Sequence, residues 1–260
     1  MMSQGICILS VVPVRSGPSD IAEQVSQLLF GELFQVTETF DSWMKIMTVS
    51  DSYEGWIDKK QCCFLTDDEF SSMNSNNTAV VTDVVQLICN KTLNLFFPVV
   101  MGSSLPAIAG NTLTIAGNEY IFESDYTGSQ KKITGTVITE YARQYLNAPY
   151  FWGGRSPFGI DCSGLTQMVM KLCGIHIARD AAQQAVQGKN IDFISEAMPG
   201  DLAFFENSEN NIIHTGIILF NQKIIHASGK VRIDEIDHEG IFNNELHCYT
   251  HKLRFIRRFI

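Results

Sequence analysis

Three residues of this chain have the types and setting needed for nucleophilic chemistry: Cys162, His214 and His226. Cys162 stands between Asp161 and Ser163, after the glycine-bearing run YFWGGRSPFGI and ahead of LTQMVMKLCG. The apolar residues of that second run recur at helical spacing up to a stop at Gly174. The pattern predicts a helix whose first turn holds Cys162. Unpaired backbone N–H groups and the helix dipole favour an anion at such a position, so a lowered thiol pKa and a thiolate near neutral pH are expected. A cysteine nucleophile also needs a base, and a third polar group that orients the base. His214, in NIIHTGIILF, and His226, in NQKIIHASG, occupy two strand patterns joined through Asn221 and Gln222. Hairpin partners set their side chains side by side. His214 is therefore the expected base, and His226 the group that holds its other ring nitrogen.

The same residues admit a plainer reading, in which Cys162 is a structural buried thiol and each histidine a satisfied polar residue. That reading is kept for His176, His238, His247 and His251, which have no motif around them. A Cys/His/His metal site would draw on ligands 52 and 12 residues apart, without the short paired spacing of structural zinc. Neither a metal nor a cofactor is expected.

The elements that position these residues follow from the rest of the chain. At 260 residues, 45% hydrophobic and 18% charged, it is long enough and apolar enough for one large domain or several small ones. Its net charge of −9 and the lack of a basic stripe argue against nucleic-acid binding. Arg254 to Arg258 alternate with apolar residues and read as a final strand with solvated arginines. No stretch approaches the ~18 apolar residues of a membrane helix, and the short run from Ile6 to Val12 lacks the form of a secretory signal. The cytoplasm is the expected location; a trimmed export signal would place the protein in the cell envelope. A monomer is expected. Seven cysteines without regular spacing suggest no disulfide framework, and Cys89, Cys173 and Cys248 read as free and buried.

Residues 1–68 alternate between short strand patterns and turns and read as a small β-barrel. The polar stretch SSMNSNNT, residues 71–78, reads as a linker. Residues 79–130 form a second run of short strands, a degenerate barrel of the same kind, and TGSQKK leads into the third unit, 131–260. That unit opens with an amphipathic helix from Val137 to Leu146, halted by Pro149. The Cys162 helix follows, then a short helix near Asp180 to Gln187. The pattern then switches to period two through DLAFFE, IIHTGIILF, QKIIHAS, VRIDEI and HKLRFIRRFI. Helices followed by a run of antiparallel strands indicate α+β. Pro199-Gly200-Asp201 reads as a tight turn before a core strand, capped by Asp201.

The motifs YFWGGRSPFGIDCSGL, GIHIARDAAQQAVQG, MPGDLAFF, HTGIIL and IIHAS stand in the order seen in the NlpC family of papain-like cysteine peptidases, which cut bacterial murein peptides. About half the chain carries this resemblance. It implies a papain-like domain with Cys162 as nucleophile, His214 as base and His226 as third residue, and Tyr150 as a donor to the oxyanion. The pattern VVPVRSGPSD…LLFGE…YEGWI in the first barrel resembles bacterial SH3-like domains. The whole architecture is similar to the subgroup that cleaves γ-D-glutamyl-L-diamino acid bonds in murein peptides with a free N-terminal L-Ala, where an SH3-like domain walls off one end of the cleft. By this resemblance Asp161 and Ser163 contact the substrate's amino end, Trp152 lines the cleft, and Glu32 and Tyr53 help seal the end and bind the amine. Arg179 lies in a turn that resembles a Pro-Arg-Asp-Ala pattern, with Ala178 in place of the proline. It either pairs with a substrate carboxylate or braces its loop. The alternatives are a catalytically inactive module that binds wall peptide, and a papain-like amidase or acyltransferase with a non-murein substrate.

Overall fold

Segments rich in Val, Ile and Phe and broken by Gly, Asn and Ser fill most of the chain with strands. Helices arise where a Thr or Asp cap precedes an apolar pattern. The computed structural model describes residues 3–74, 78–122, 126–127 and 133–260. It divides into two units, Met1–Gln130 and Lys131–Ile260.

In the first unit, strands from Gln4–Ile6 to Cys63–Leu65 make one seven-stranded sheet. Its core includes Val12, Val14, Leu28, Phe34, Met44, Ile46 and Ile57. A four-stranded sheet and a three-stranded sheet follow from Ala79–Val81 onward. A second core runs from Ile6, Phe30 and Leu65 to Ile88, Val99, Leu113 and Phe122, so both strand regions of this unit bury side chains together. The stretch 71–78, expected as a linker, begins inside a helix. Thr66 and Glu69 form a capping box for Asp67–Met73, and Phe70 and Met73 are buried beneath it. Residues 75–77 of that stretch, and 128–132 of the segment leading to the third unit, lie outside the described residues.

The second unit is α+β, with helices packed on an antiparallel sheet. Thr134 caps the first helix, Gly135–Gln144, which packs against the Cys162 helix, Cys162–Leu172. Seven strands follow in the spatial order Lys189–Ile191, Cys248–Arg258, Leu202–Glu206, Ile212–Ile218, Lys223–Ser228, Lys230–Ile236, Gly240–Asn243. The last of these pairs back onto Cys248–Arg258, with Ile241 opposite His251, so the sheet closes on itself. The arginines of the final strand are more than solvated charges. Arg258 binds both oxygens of the buried Asp201 carboxylate, at 2.8 and 2.7 Å, and Arg254 reaches Glu206.

All seven cysteines are free. Cys173 is buried as expected, but Cys89 is half-buried and Cys248 is exposed. Cys89 stands opposite the exposed Phe96, on the outward face of its sheet, and Cys248 opens its strand in an exposed run. Among the described residues, no helix is long and apolar enough to cross a membrane.

Candidate active site

Asp161 is the N-cap of the Cys162 helix and accepts from the Gly164 amide at 2.6 Å. The same carboxylate accepts from the Gly153 amide at 2.8 Å, which ties the preceding loop to the helix start. This approach requires glycine at 164, where a Cβ would lie 2.2 Å from the Gly154 carbonyl oxygen. Every residue of the helix is buried. At its other end Gly174 takes a φ of 72°, and Ile175 donates to the Met170 carbonyl at 2.9 Å, closing a Schellman motif.

Arg179 is only 1% exposed and lies against this cap. Its guanidinium meets both Asp161 oxygens, at 2.6 and 3.0 Å, and the Ser163 hydroxyl at 2.9 Å. Asp161, Ser163 and Arg179 thus form a buried knot behind the nucleophile position. An ammonium reaching Asp161 shares a carboxylate that is already paired. The short helix Ala181–Gln184 supports the same region, since Gln184 donates to the Ser163 carbonyl at 2.9 Å.

Cys162 is 8% exposed, and backbone N–H groups of Thr215 and Ser163 hydrogen-bond its sulfur. The lowered thiol pKa expected from the helix start is not found. Burial pushes it up to about 11, with the Asp161 carboxylate adding to the rise. Desolvation and a fixed anion at the N-cap outweigh the amides of the first turn. The Thr215 contact brings the strand Ile212–Ile218 to the thiol, one residue from His214. Tyr150 is anchored by its amide, which donates to the Gly229 carbonyl at 3.0 Å. Burial, then the nearby Cys162 and Asp161, raise its phenol to about 12, so it is a hydroxyl donor at neutral pH.

His214 and His226 meet as the hairpin implied, but diagonally. Gly216, not His214, stands directly opposite His226. The rings come together with His214 Nε2 2.8 Å from His226 Nδ1. Both residues are buried, at 5% and 1% exposure. Burial, followed by the neighbouring His251 and His226, holds His214 well below its ordinary 6.5, which makes it a neutral base. The far nitrogen of His226 lies 2.9 Å from Asp234 Oδ2, a contact not read from the sequence. A signal existed: VRIDEI follows the Ser228-Gly229-Lys230 turn closely, and its alternation puts Asp234 on the inward face.

His251, read from the sequence as an ordinary polar residue, stacks on His214 with centroids 4.1 Å apart and planes at 26°. Closure of the sheet brings it there, a pairing that no local pattern announces. The ligand-capable nitrogens of His214, His226 and His251 lie within 4.8 Å of one another. Tetrahedral zinc needs in-plane lone pairs converging at about 2 Å. The near-parallel stack turns those of His214 and His251 side by side, and His214 and His226 already bond each other. The cluster as arranged fits a proton relay better than a metal.

Trp152 is 60% exposed in the loop before Cys162. Glu32 and Tyr53 belong to the first unit. The Glu32 side chain is buried in a turn and accepts from the Leu29 amide at 2.9 Å, and the Tyr53 amide donates to Thr48 Oγ1 at 2.9 Å.

Residues 147–250, which carry Cys162, both paired histidines and Asp234, match the NlpC/P60 family. The C-terminal unit is an NlpC/P60 domain. Residues 14–61 match the bacterial dipeptidyl-peptidase SH3 domain, so an SH3-like domain precedes the NlpC/P60 domain. The protein is 29% identical to a γ-D-glutamyl-L-lysine dipeptidyl-peptidase of Bacillus subtilis (strain 168), over 78% of this chain and 71% of that one. It is 28% identical to dipeptidyl-peptidase 6 of Lysinibacillus sphaericus, over 90% of this chain and 92% of that one. An NlpC/P60 family protein from Bacillus cereus has the same fold, with a TM-score of 0.83 at 19% identity, covering 98% of this chain and 99% of its own. The family match and these peptidase relatives support a cysteine peptidase.

Proposed function

We propose that this protein hydrolyses the γ-D-glutamyl-L-diamino acid bond of murein peptides that carry a free N-terminal L-Ala. The buried His214–His226 pair, on a hairpin whose Thr215 amide reaches the Cys162 sulfur, in a domain of this family, carries the reading. The name of the Bacillus subtilis relative supports L-lysine as an accepted diamino acid.

In this reading the Cys162 sulfur attacks the γ-glutamyl carbonyl carbon while its proton passes to His214 Nδ1, the ring nitrogen not engaged by His226. The Cys162 backbone N–H and the Tyr150 hydroxyl stabilise the oxyanion, each worth about 3 kcal/mol. The C–N bond then breaks, His214 returns the proton to the departing amine, and a thioester remains. His214 takes a proton from water as it attacks that thioester, and the thiol is restored as L-Ala-D-Glu leaves. Asp161 and Ser163 receive the substrate's ammonium, and Trp152 borders the cleft.

Chromatographic assay of L-Ala-γ-D-Glu-L-Lys, its diaminopimelate counterpart and the N-acetylated forms tests this. Cleavage of the free-amine peptides with little of the blocked ones is expected. Equal rates overturn the requirement for a free amine. No cleavage by a protein whose thiol is intact favours a binding module.

A further inference from the structure

Asp234 lies at the end of the imidazole chain, 4% exposed, on the strand beside His226. Arg232 grips it in bidentate fashion, with Nε 2.7 Å from Oδ2 and Nη2 2.9 Å from Oδ1, and extends Nη1 to Glu245 at 3.1 Å. Although burial pushes its carboxyl up, hydrogen bonds from His226 and Arg232 hold it below the ordinary value, so it is ionised at neutral pH.

We propose that Asp234 is a positioning residue that dictates, through His226, which nitrogen of His214 carries the hydrogen. A carboxylate only accepts. The 2.9 Å contact therefore places a hydrogen on His226 Nε2. A neutral imidazole has a single N–H, so His226 Nδ1 is bare, and its 2.8 Å contact requires His214 Nε2 to be the donor. His214 Nδ1 is then bare in turn, and a bare nitrogen is what a base needs. Two rings away from the thiol, one carboxylate sets the direction of the proton.

The competing arrangement protonates His226 fully, which would make His214 the acceptor at Nε2 and leave a useless N–H on Nδ1. Arg232 opposes it. Its guanidinium already neutralises Asp234, and an imidazolium at His226 would be packed among His214 and His251 in a buried site. Arg232 thus lets Asp234 act as an acceptor without drawing a second proton onto the ring.

The consequence for rate rests on the peptidase reading, but the tautomers are readable without substrate. Nitrogen NMR of isotope-labelled histidines in the full chain is expected to show His214 and His226 both as Nε2–H tautomers. In Asp234→Ala, tautomers mix and kcat falls on the order of 100-fold, with KM nearly unchanged. A wild-type spectrum with His214 as Nδ1–H overturns the proposal, as does an Asp234→Ala variant that keeps both tautomers and kcat. If Asp234→Ala does not fold, the wild-type spectrum decides. Correct tautomers in a protein that cleaves no peptide would leave the proposal standing and remove only the peptidase reading.

Discussion

Gly216 stands directly across the sheet from His226, and a Cβ there would lie 2.9 Å from the His226 Cβ and 2.9 Å from an Ile224 methyl. The missing side chain is the room in which the His226 ring leans diagonally toward His214.

Gly216→Val should push that ring away from His214. We expect kcat to fall at least about 10-fold, since the base loses its orienting partner, and stability to fall by about 1–3 kcal/mol from overpacking. Steady-state kinetics together with urea denaturation measure both. Unchanged kcat would mean that the pairing of the two imidazoles is dispensable.

The pH profile follows from the same burial. His214 must be neutral to accept a proton, and its pKa lies well below 6.5. Activity is therefore expected to persist at pH 6 and to fall only in more acid solution. The thiol, raised to about 11, should react slowly with iodoacetamide at neutral pH and faster as the pH climbs. Rapid selective alkylation at pH 6 would instead indicate a resting thiolate–imidazolium pair.

Stability should share the acid limb. His214, and His251 with a pKa lowered to about 4, both bind protons more readily in the unfolded chain. Their contribution is complete above about pH 6.5 and is lost as the pH falls through the folded values. Thermal melts between neutral pH and pH 4 should show that decline, and His251→Phe should make it shallower.

Arg179→Met leaves the Asp161 charge buried without its partner, a loss of about 3–5 kcal/mol. Asp161→Asn combined with Arg179→Met should recover part of it. Melting of the two single variants and the double variant measures the coupling, and strict additivity would mean that the pair contributes no mutual stabilisation.

Cys162→Ala removes a small buried group, so the fold should survive while turnover drops by a factor on the order of 10⁴ or more. Circular dichroism and the peptide assay check the two halves of that statement.

The parts legible in the sequence were local ones. The start and stop of the Cys162 helix follow from Asp161 and Gly174, and the histidine hairpin from a tight turn at Asn221 and Gln222, both at positive φ. The parts that were not legible depend on what lies across space. His251 reaches His214 because the strand Cys248–Arg258 pairs with both Leu202–Glu206 and Gly240–Asn243. The thiol pKa departs from the expectation because a helix start is visible in a sequence, whereas the desolvation of that helix on every side is a property of the assembled unit. Ser71–Met73 looked like linker because a capping box with two apolar anchors is a weak signal beside so many polar residues.

The placement of Cys248–Arg258 between Lys189–Ile191 and Leu202–Glu206 has a bearing on biosynthesis. A ribosome delivers the Cys162 thiol and both hairpin imidazoles well before this segment, yet Lys189–Ile191 has no partner until it arrives, and Leu202–Glu206 and Gly240–Asn243 each keep one edge open. A nascent chain therefore carries these groups in an unfinished wall, and the arrival of the last strand completes it.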